Sequence, residues 1–367
     1  MAEQAFACAS TAKGSEFAEL LRRVRQAGLL ERRPGYYAAK IAVNGALLTA
    51  AITLLVVWGD TWWQLVTAGI LAIVFAQIGF IGHDAGHRQI LRHGRASDLL
   101  GVVHANALIG LSYGWWVDKH NRHHAHPNEV GRDPDVGAGA LVFTAAQASG
   151  RRGRFGRLAA RYQAWYFFPL LTLEGLNLHA GSIGALLRRR DRAGLLEIGL
   201  LVLHLAAYAA TLSLLLSAGR ALAFAAVNQA IFGLYLGCAF APNHKGMPGP
   251  ADEDAANFLR RQVLSSRNVR GGPVTDWILG GLNYQIEHHL FPSMPRVNLK
   301  RARPLVRAYC SERGIDYREC GALDSYRQAL HHLRVVGTTG DRVASPRAPY
   351  PQRRRRRPVE WGDDHDS

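Results

Sequence analysis

The stretch "TWWQLVTAGILAIVFAQIGFIGHDAGH", residues 61–87, decides the fold. Its first 22 residues, Thr61–Gly82, contain no Asp, Glu, Lys or Arg, and the run then ends abruptly on two histidines four residues apart. About 20 consecutive apolar residues cross a bilayer as a helix. The segment therefore reads as a transmembrane helix that delivers His83 and His87 to its polar end.

Three more stretches have the same character: Ile41–Gly59, Ile198–Gly219 and Ala221–Asn243. Asp60 alone separates the first two spans and Arg220 alone the last two, so the expectation is two helical hairpins. The near-zero mean hydropathy of the 367-residue chain, with its formal charge of +16, hides these runs because the ends are rich in arginine. Of the 44 Lys and Arg residues, seven lie in the first 40 positions, 15 between the hairpins and 21 after Asn243. Basic residues collect on the cytoplasmic side of membrane proteins, so both termini and the central region are expected there. The N-terminus lacks the basic-then-apolar pattern of a signal peptide. Cys8, Cys238, Cys310 and Cys320 show no paired spacing and read as reduced thiols.

Two further stretches are ambiguous. Leu99–Val117 is uncharged but interrupted by Gly101, Gly110, Gly114, His104 and Asn106, and Ala164–Leu187 contains Pro169 and Glu174. Each is expected to lie re-entrant or along the membrane surface, with Trp115, Trp116, Trp165 and Tyr166 at headgroup level. The domain organisation expected is a cytoplasmic segment over 1–40, a membrane unit over 41–337 and a basic tail over 338–367. The tail holds "PQRRRRRPVE" at 351–360 and has a composition typical of disorder. Truncation after Val336 should then leave the protein folded and active.

The histidines carry the chemistry. "HDAGH" sets His83 and His87 four apart; "HNRHH" sets His120, His123 and His124 at offsets of zero, three and four. "NYQIEHHLFPSMPR", residues 283–296, repeats that offset with Gln285, His288 and His289. Residues three and four apart share a helix face, so each cluster aims its donors one way, and adjacent pairs can serve two neighbouring metals. His244 lies one residue past the fourth span, at the depth of His83. Imidazole suits zinc, copper, iron and nickel alike, but a catalytic zinc site needs about three protein ligands. Eight imidazoles fit a two-metal centre better. His93, His179, His204, His331, His332 and His365 read as packed or surface side chains, and His104 and His126 as supporting groups.

The three clusters, in order, resemble the histidine boxes of the membrane fatty acid desaturases. "NYQIEHHLFPSMPR" is especially similar to the third box of front-end and related acyl desaturases, where Gln replaces the first His. The resemblance spans about Gly82 to Arg296. It implies an all-α integral membrane protein whose four transmembrane helices form two hairpins beneath a cytoplasmic helical cap carrying a di-iron site. Two irons would be held by His83, His87, His120, His123, His124, His244, His288 and His289, with Gln285 as a weak ligand or a support. The same eight imidazoles, His244 apart, would be the catalytic set, with Asp84 and Asn283 close by. Further outer carboxylates and amides would come from Asp118, Asp133, Asp135, Asn121 and Glu287, although Asp135 and Glu287 equally read as surface charges. Lys119, Arg122 and Arg296 are candidates for an anionic carrier or headgroup.

Dioxygen would be the co-substrate and a lipid- or thioester-linked acyl chain the substrate. Many front-end members carry a fused cytochrome b5 with an H-P-G-G motif. That motif is absent here, so electrons are expected from ferredoxin or a free cytochrome b5 through a separate reductase. A hydroxylase acting on another lipid from the same scaffold remains the alternative. Metal transport fits poorly, because the spans hold few polar ligands.

Overall fold

A computed structural model describes residues 16–137, 139–189, 191–249 and 257–339. The segment before Glu16, with Cys8, and the arginine run at 353–357 lie outside them. Among the described residues the regular structure is helical except for one parallel pair, β1 (Asn268–Val269) against β2 (Glu319–Cys320). Helices α1 (Glu16–Gln26) and α2 (Pro34–Val57) are followed by α3 (Gln64–Gly86) and α4 (Gly94–Val102). A π-helical turn over Val103–Ala107 leads to α5 (Tyr113–Ala125), then α6 (Ala145–Ser149), α7 (Gly153–Leu171) and α8 (Glu174–Leu186). The long α9 (Arg192–Leu215) and α10 (Ala218–His244) precede α11 (Phe258–Leu264), α12 (Pro273–Ile278) and α13 (Gln285–Leu290). Finally, α14 (Arg296–Glu312) and α15 (Ala322–Thr339) flank β2.

Four helices, α2, α3, α9 and α10, are long and apolar enough to cross a membrane. Their limits differ from those read from charge alone. α2 opens at Pro34, a residue preorganised for a first helical turn. α3 runs on through His83 to Gly86, so His83 belongs to the helix itself. α9 begins at Arg192 and takes in Glu197, while Arg220 sits in the first turn of α10 rather than in a connector. A charge ends a hydrocarbon-facing run, but it does not end backbone hydrogen bonding. The connectors at 58–63 and 216–217 touch each other: Asp60 accepts from the Ser217 backbone N–H (3.0 Å) and from Arg220 (2.5 Å).

α3 is the central helix. Phe75, Ile78, Phe80 and Ile81 are buried, and its neighbour α10 contributes Phe224, Phe232 and Leu236 to the same interior. By contrast, α2 and α9 leave Val43, Ile52, Val56, Leu195, Val202 and Leu203 exposed, an outer surface suited to lipid. Polar side chains tie the helices: Asn44 donates to the Gln77 carbonyl (3.1 Å), Asn228 to the Ala68 carbonyl (3.1 Å) and Gln77 to the Tyr235 hydroxyl (2.8 Å). Gly233 on α10 lets the α7–α8 corner approach, because a Cβ there would lie 2.4 Å from the Gly175 nitrogen. Gly233→Ala should destabilise the protein by about 1–3 kcal/mol through backbone displacement, read as a lower unfolding temperature in detergent.

Both ambiguous stretches are interrupted. Leu99–Val117 stays helical through the π-turn and breaks at Gly110, where a φ of +67° and a Cβ that would lie 2.6 Å from the His204 ring exclude a side chain. Ala164–Leu187 breaks at Thr172–Leu173, not at Pro169, which stays inside α7 within one turn of its end. The C-terminal limit also shifts. α15 continues to Thr339, and Gly337 packs so closely on Ala160 that a cut after Val336 would remove part of the fold. Cys238, Cys310 and Cys320 are free thiols.

Candidate metal centre

Each histidine reaches the centre from a helix end. The last turn of α3 and the residue after it supply His83 and His87; α5 supplies His120, His123 and His124; α10 ends at His244; α13 supplies His288 and His289. All eight are buried, and they form one contiguous cluster. Four of them, His83, His87, His120 and His288, bring ring nitrogens within 4.8 Å of one another. A second group, His123, His244 and His289, does the same. His124 lies between, with its ring stacked on His289 at 4.2 Å and its Nε2 3.1 Å from His120 Nε2. The neighbours His123 and His124 thus diverge, as adjacent residues on a helix must.

Hydrogen bonds on the outer nitrogens fix the rings. The Nδ1 of His83 faces Asp84 at 3.0 Å, that of His123 faces Asp133 at 2.9 Å, and that of His289 faces the Gln262 amide oxygen at 3.0 Å. The fourth, on His244, faces the Ser265 carbonyl at 3.2 Å. An Nδ1 opposite an acceptor carries the proton and leaves Nε2 as a bare lone pair. Those lone pairs point inward and are unsatisfied: Nε2 of His83, His87 and His289, and both nitrogens of His288, have no hydrogen-bond partner. The Nε2 atoms of His123 and His244 are 3.3 Å apart with both outer protons committed, so their lone pairs face each other, that of His244 meeting the Gln285 amide as well. Buried polar atoms are rarely left so, and a cation between them is the natural partner. Burial, reinforced by neighbouring rings, holds His87, His120, His124, His288 and His289 well below the usual histidine range. They stay neutral at physiological pH, as metal ligation requires. Gln285 reaches the second group, with its amide nitrogen 2.9 Å from His244 Nε2.

This arrangement coincides with a match to the family of fatty acid desaturases over residues 60–321. The chain belongs to that family. This desaturase-family chain is 33% identical to the acyl-lipid (9-3)-desaturase of Physcomitrium patens over 313 residues, covering 82% of this chain and 58% of the moss protein. It is 28% identical to the Delta(6)-fatty-acid desaturase fat-3 of Caenorhabditis elegans, covering 87% and 74%. Against the acyl-lipid (9-3)-desaturase of Borago officinalis it is 30% identical, covering 76% and 64%. The chain therefore spans less than two thirds of the length of the moss and borage proteins.

Other expected site residues of this desaturase-family chain fall differently. Asp84 bridges His83 to Arg296, whose Nη2 lies 2.6 Å from the carboxylate and 2.6 Å from the Phe80 carbonyl. Arg296 is thus buried inside the protein rather than offered to an anionic carrier. Lys119 pairs with Asp135, and Arg122 with the exposed Asp118. Glu287 is no surface charge: it is fully buried, accepts from Asn268 (2.7 Å) and Tyr317 (2.8 Å), and is pushed up to about 7 by burial. It faces away from the rings and ties α13 to β1. Asn283 bonds Asp276 (3.0 Å) and does not touch the histidines, and Asn121 is exposed. Trp116 stacks on His120 at 4.5 Å. His104, His126, His179 and His204 bond Leu100, Glu129, Gly110 and Ala107 instead.

The carboxylates of Asp133 and Asp135 also lie near His123. Asp133 accepts from His123 and from two backbone N–H groups, while Lys119 compensates Asp135. That trio supports a ring and is not a third metal group.

Proposed function

We propose that this chain is an oxygen-dependent fatty acyl desaturase that inserts a double bond into a lipid- or thioester-linked acyl chain. One observation carries the reading: two adjoining groups of buried imidazoles in which the inward Nε2 atoms of His83, His87, His288 and His289 have no hydrogen-bond partner. His83, His87, His120 and His288 would hold one iron, and His123, His244 and His289 the other. His124 lies between the two groups, and Gln285 supports His244. When bound, the two irons would activate dioxygen and remove two hydrogens from the acyl chain. The chain's own groups orient and dry the site. Asp84, Asp133, Gln262 and Ser265 set the rings, and Trp116 covers His120.

The topology that supports this reading is two hairpins, α2–α3 and α9–α10, with the histidine ends and both termini cytoplasmic. The distribution of Lys and Arg argues for that side. Electrons would come from ferredoxin or a free cytochrome b5 through a separate reductase.

Lipid analysis of a host expressing the chain tests the proposal. A new unsaturated fatty acid, with its double bond located by mass spectrometry, should form in air and vanish without dioxygen. A hydroxylated lipid as the main product would replace desaturation with hydroxylation. Absence of any oxygen-dependent lipid change with either donor would remove the enzymatic reading altogether.

A further inference from the structure

Some arginines near the first span have partners, and others, Arg22 and Arg95, are simply exposed. Arg23 pairs with Glu19 and Glu312, Arg88 with Asp98, and Arg33 donates to Asn298. Three do not fit this pattern. Arg25 on α1, Arg32 just before α2 and Arg92 in the loop after His87 line one cleft of about 350 Å³ together with Glu31. None of the three forms an ion pair among the described residues. Arg32 Nη1 is moreover buried with no hydrogen-bond partner. Burial, and then the nearby Arg92, hold the Arg32 guanidinium below the usual arginine range. Like charges are gathered here in excess of the internal counterions. Glu31, lying back across Gly28, supplies one negative charge against three positive ones.

The position of the cleft matters as much as its charge. Pro34 opens α2 and Gly86 closes α3, and the Tyr37 hydroxyl donates to Gln89 at 2.9 Å, so these two helix ends lie side by side. Both helices are long and apolar enough to span a bilayer. The cleft thus lies at their shared polar end, the depth of lipid phosphates. Guanidinium groups match phosphate oxygens in charge and geometry. We propose that Arg25, Arg32 and Arg92 form a phosphate-binding site, separate from the histidine cluster and placed to receive the headgroup of an anionic lipid.

Calorimetric titration of the full chain in neutral detergent tests this with short-chain phosphatidic acid, phosphatidylcholine and inorganic phosphate as probes. Phosphatidic acid should bind at one site, and phosphatidylcholine much more weakly. Arg32→Gln with Arg92→Gln should weaken phosphatidic acid at least about tenfold, the loss expected when a charged hydrogen-bonded contact is removed. Glu31→Gln should tighten it, and Arg307→Gln, an exposed arginine on α14, should change nothing. Displacement of phosphatidic acid by inorganic phosphate at similar concentration assigns the site to soluble phosphate, and resistance to displacement assigns it to a lipid headgroup. Unchanged binding in the double variant, or an equal loss in Arg307→Gln, overturns the site.

Discussion

His288→Ala should abolish the unsaturated product and leave the chain in the membrane. The expectation rests on what His288 does in the structure: both its nitrogens are buried and neither has a hydrogen-bond partner. A ring held so has no visible structural hydrogen bond to lose. It does contribute a donor to the group with His83, His87 and His120. Changes to groups that merely orient a ligand cost about 10–100-fold in metal affinity or activity; loss of a ligand should reach the upper end or beyond. Metal analysis of the parent should find close to two irons per chain, falling below two in the variant. Two irons and full product in His288→Ala would sink the assignment, as would zinc as the sole metal in active parent protein made with ample iron.

Asp84→Ala should be nearly as severe, for a different reason. Asp84 is 1% exposed and joins His83 on one oxygen to Arg296 on the other. Removing it strands a buried guanidinium, a change that costs about 3–5 kcal/mol where one partner of a buried pair is lost. It also frees the His83 ring to turn. Thermal unfolding in detergent should show the loss of stability, and metal analysis a loss of iron from the same preparation. The double variant Asp84→Ala with Arg296→Met should regain part of the stability but not the activity, because the stranded charge is gone and the ring remains unheld. An Asp84→Ala protein as stable and as well loaded with iron as the parent would refute the role given to Asp84.

Much of this architecture was legible because it follows from periodicity. Uncharged runs announced the four long helices, and offsets of three and four announced which rings share a face. The remainder depended on contacts between residues far apart in the chain. Gln262 steadies His289 across 27 positions with no motif around it, and Arg296 reaches back to Asp84 across the whole membrane unit. From sequence, Arg296 was a candidate for an anionic carrier or headgroup, because nothing nearby in the chain marked Asp84 as its partner. Gly281, with positive φ, opens the space it enters: a Cβ there would lie 2.4 Å from the Arg296 side chain. Trp116 carried a signal that went unused, since it stands four residues before His120 and so on the same face of α5. Helix limits drifted where polar residues such as Glu197 were excluded. Glu197 is buried at the start of α9, where it accepts from Ser112, Gly114, Asn106 and Arg189.

The outer hydrogen bonds on the rings carry one more implication. Four of the donors are aligned by the chain's own groups, so part of the entropy of orienting them is met by folding rather than by the ion. An incoming ion has only to shed its water. A cradle prepared in this way is chemically indifferent. Neutral imidazoles bind divalent ions with an affinity that rises along the first transition row to copper, and nothing in the donor set favours iron. The choice of iron would then have to come from the compartment in which the chain matures, through its metal supply.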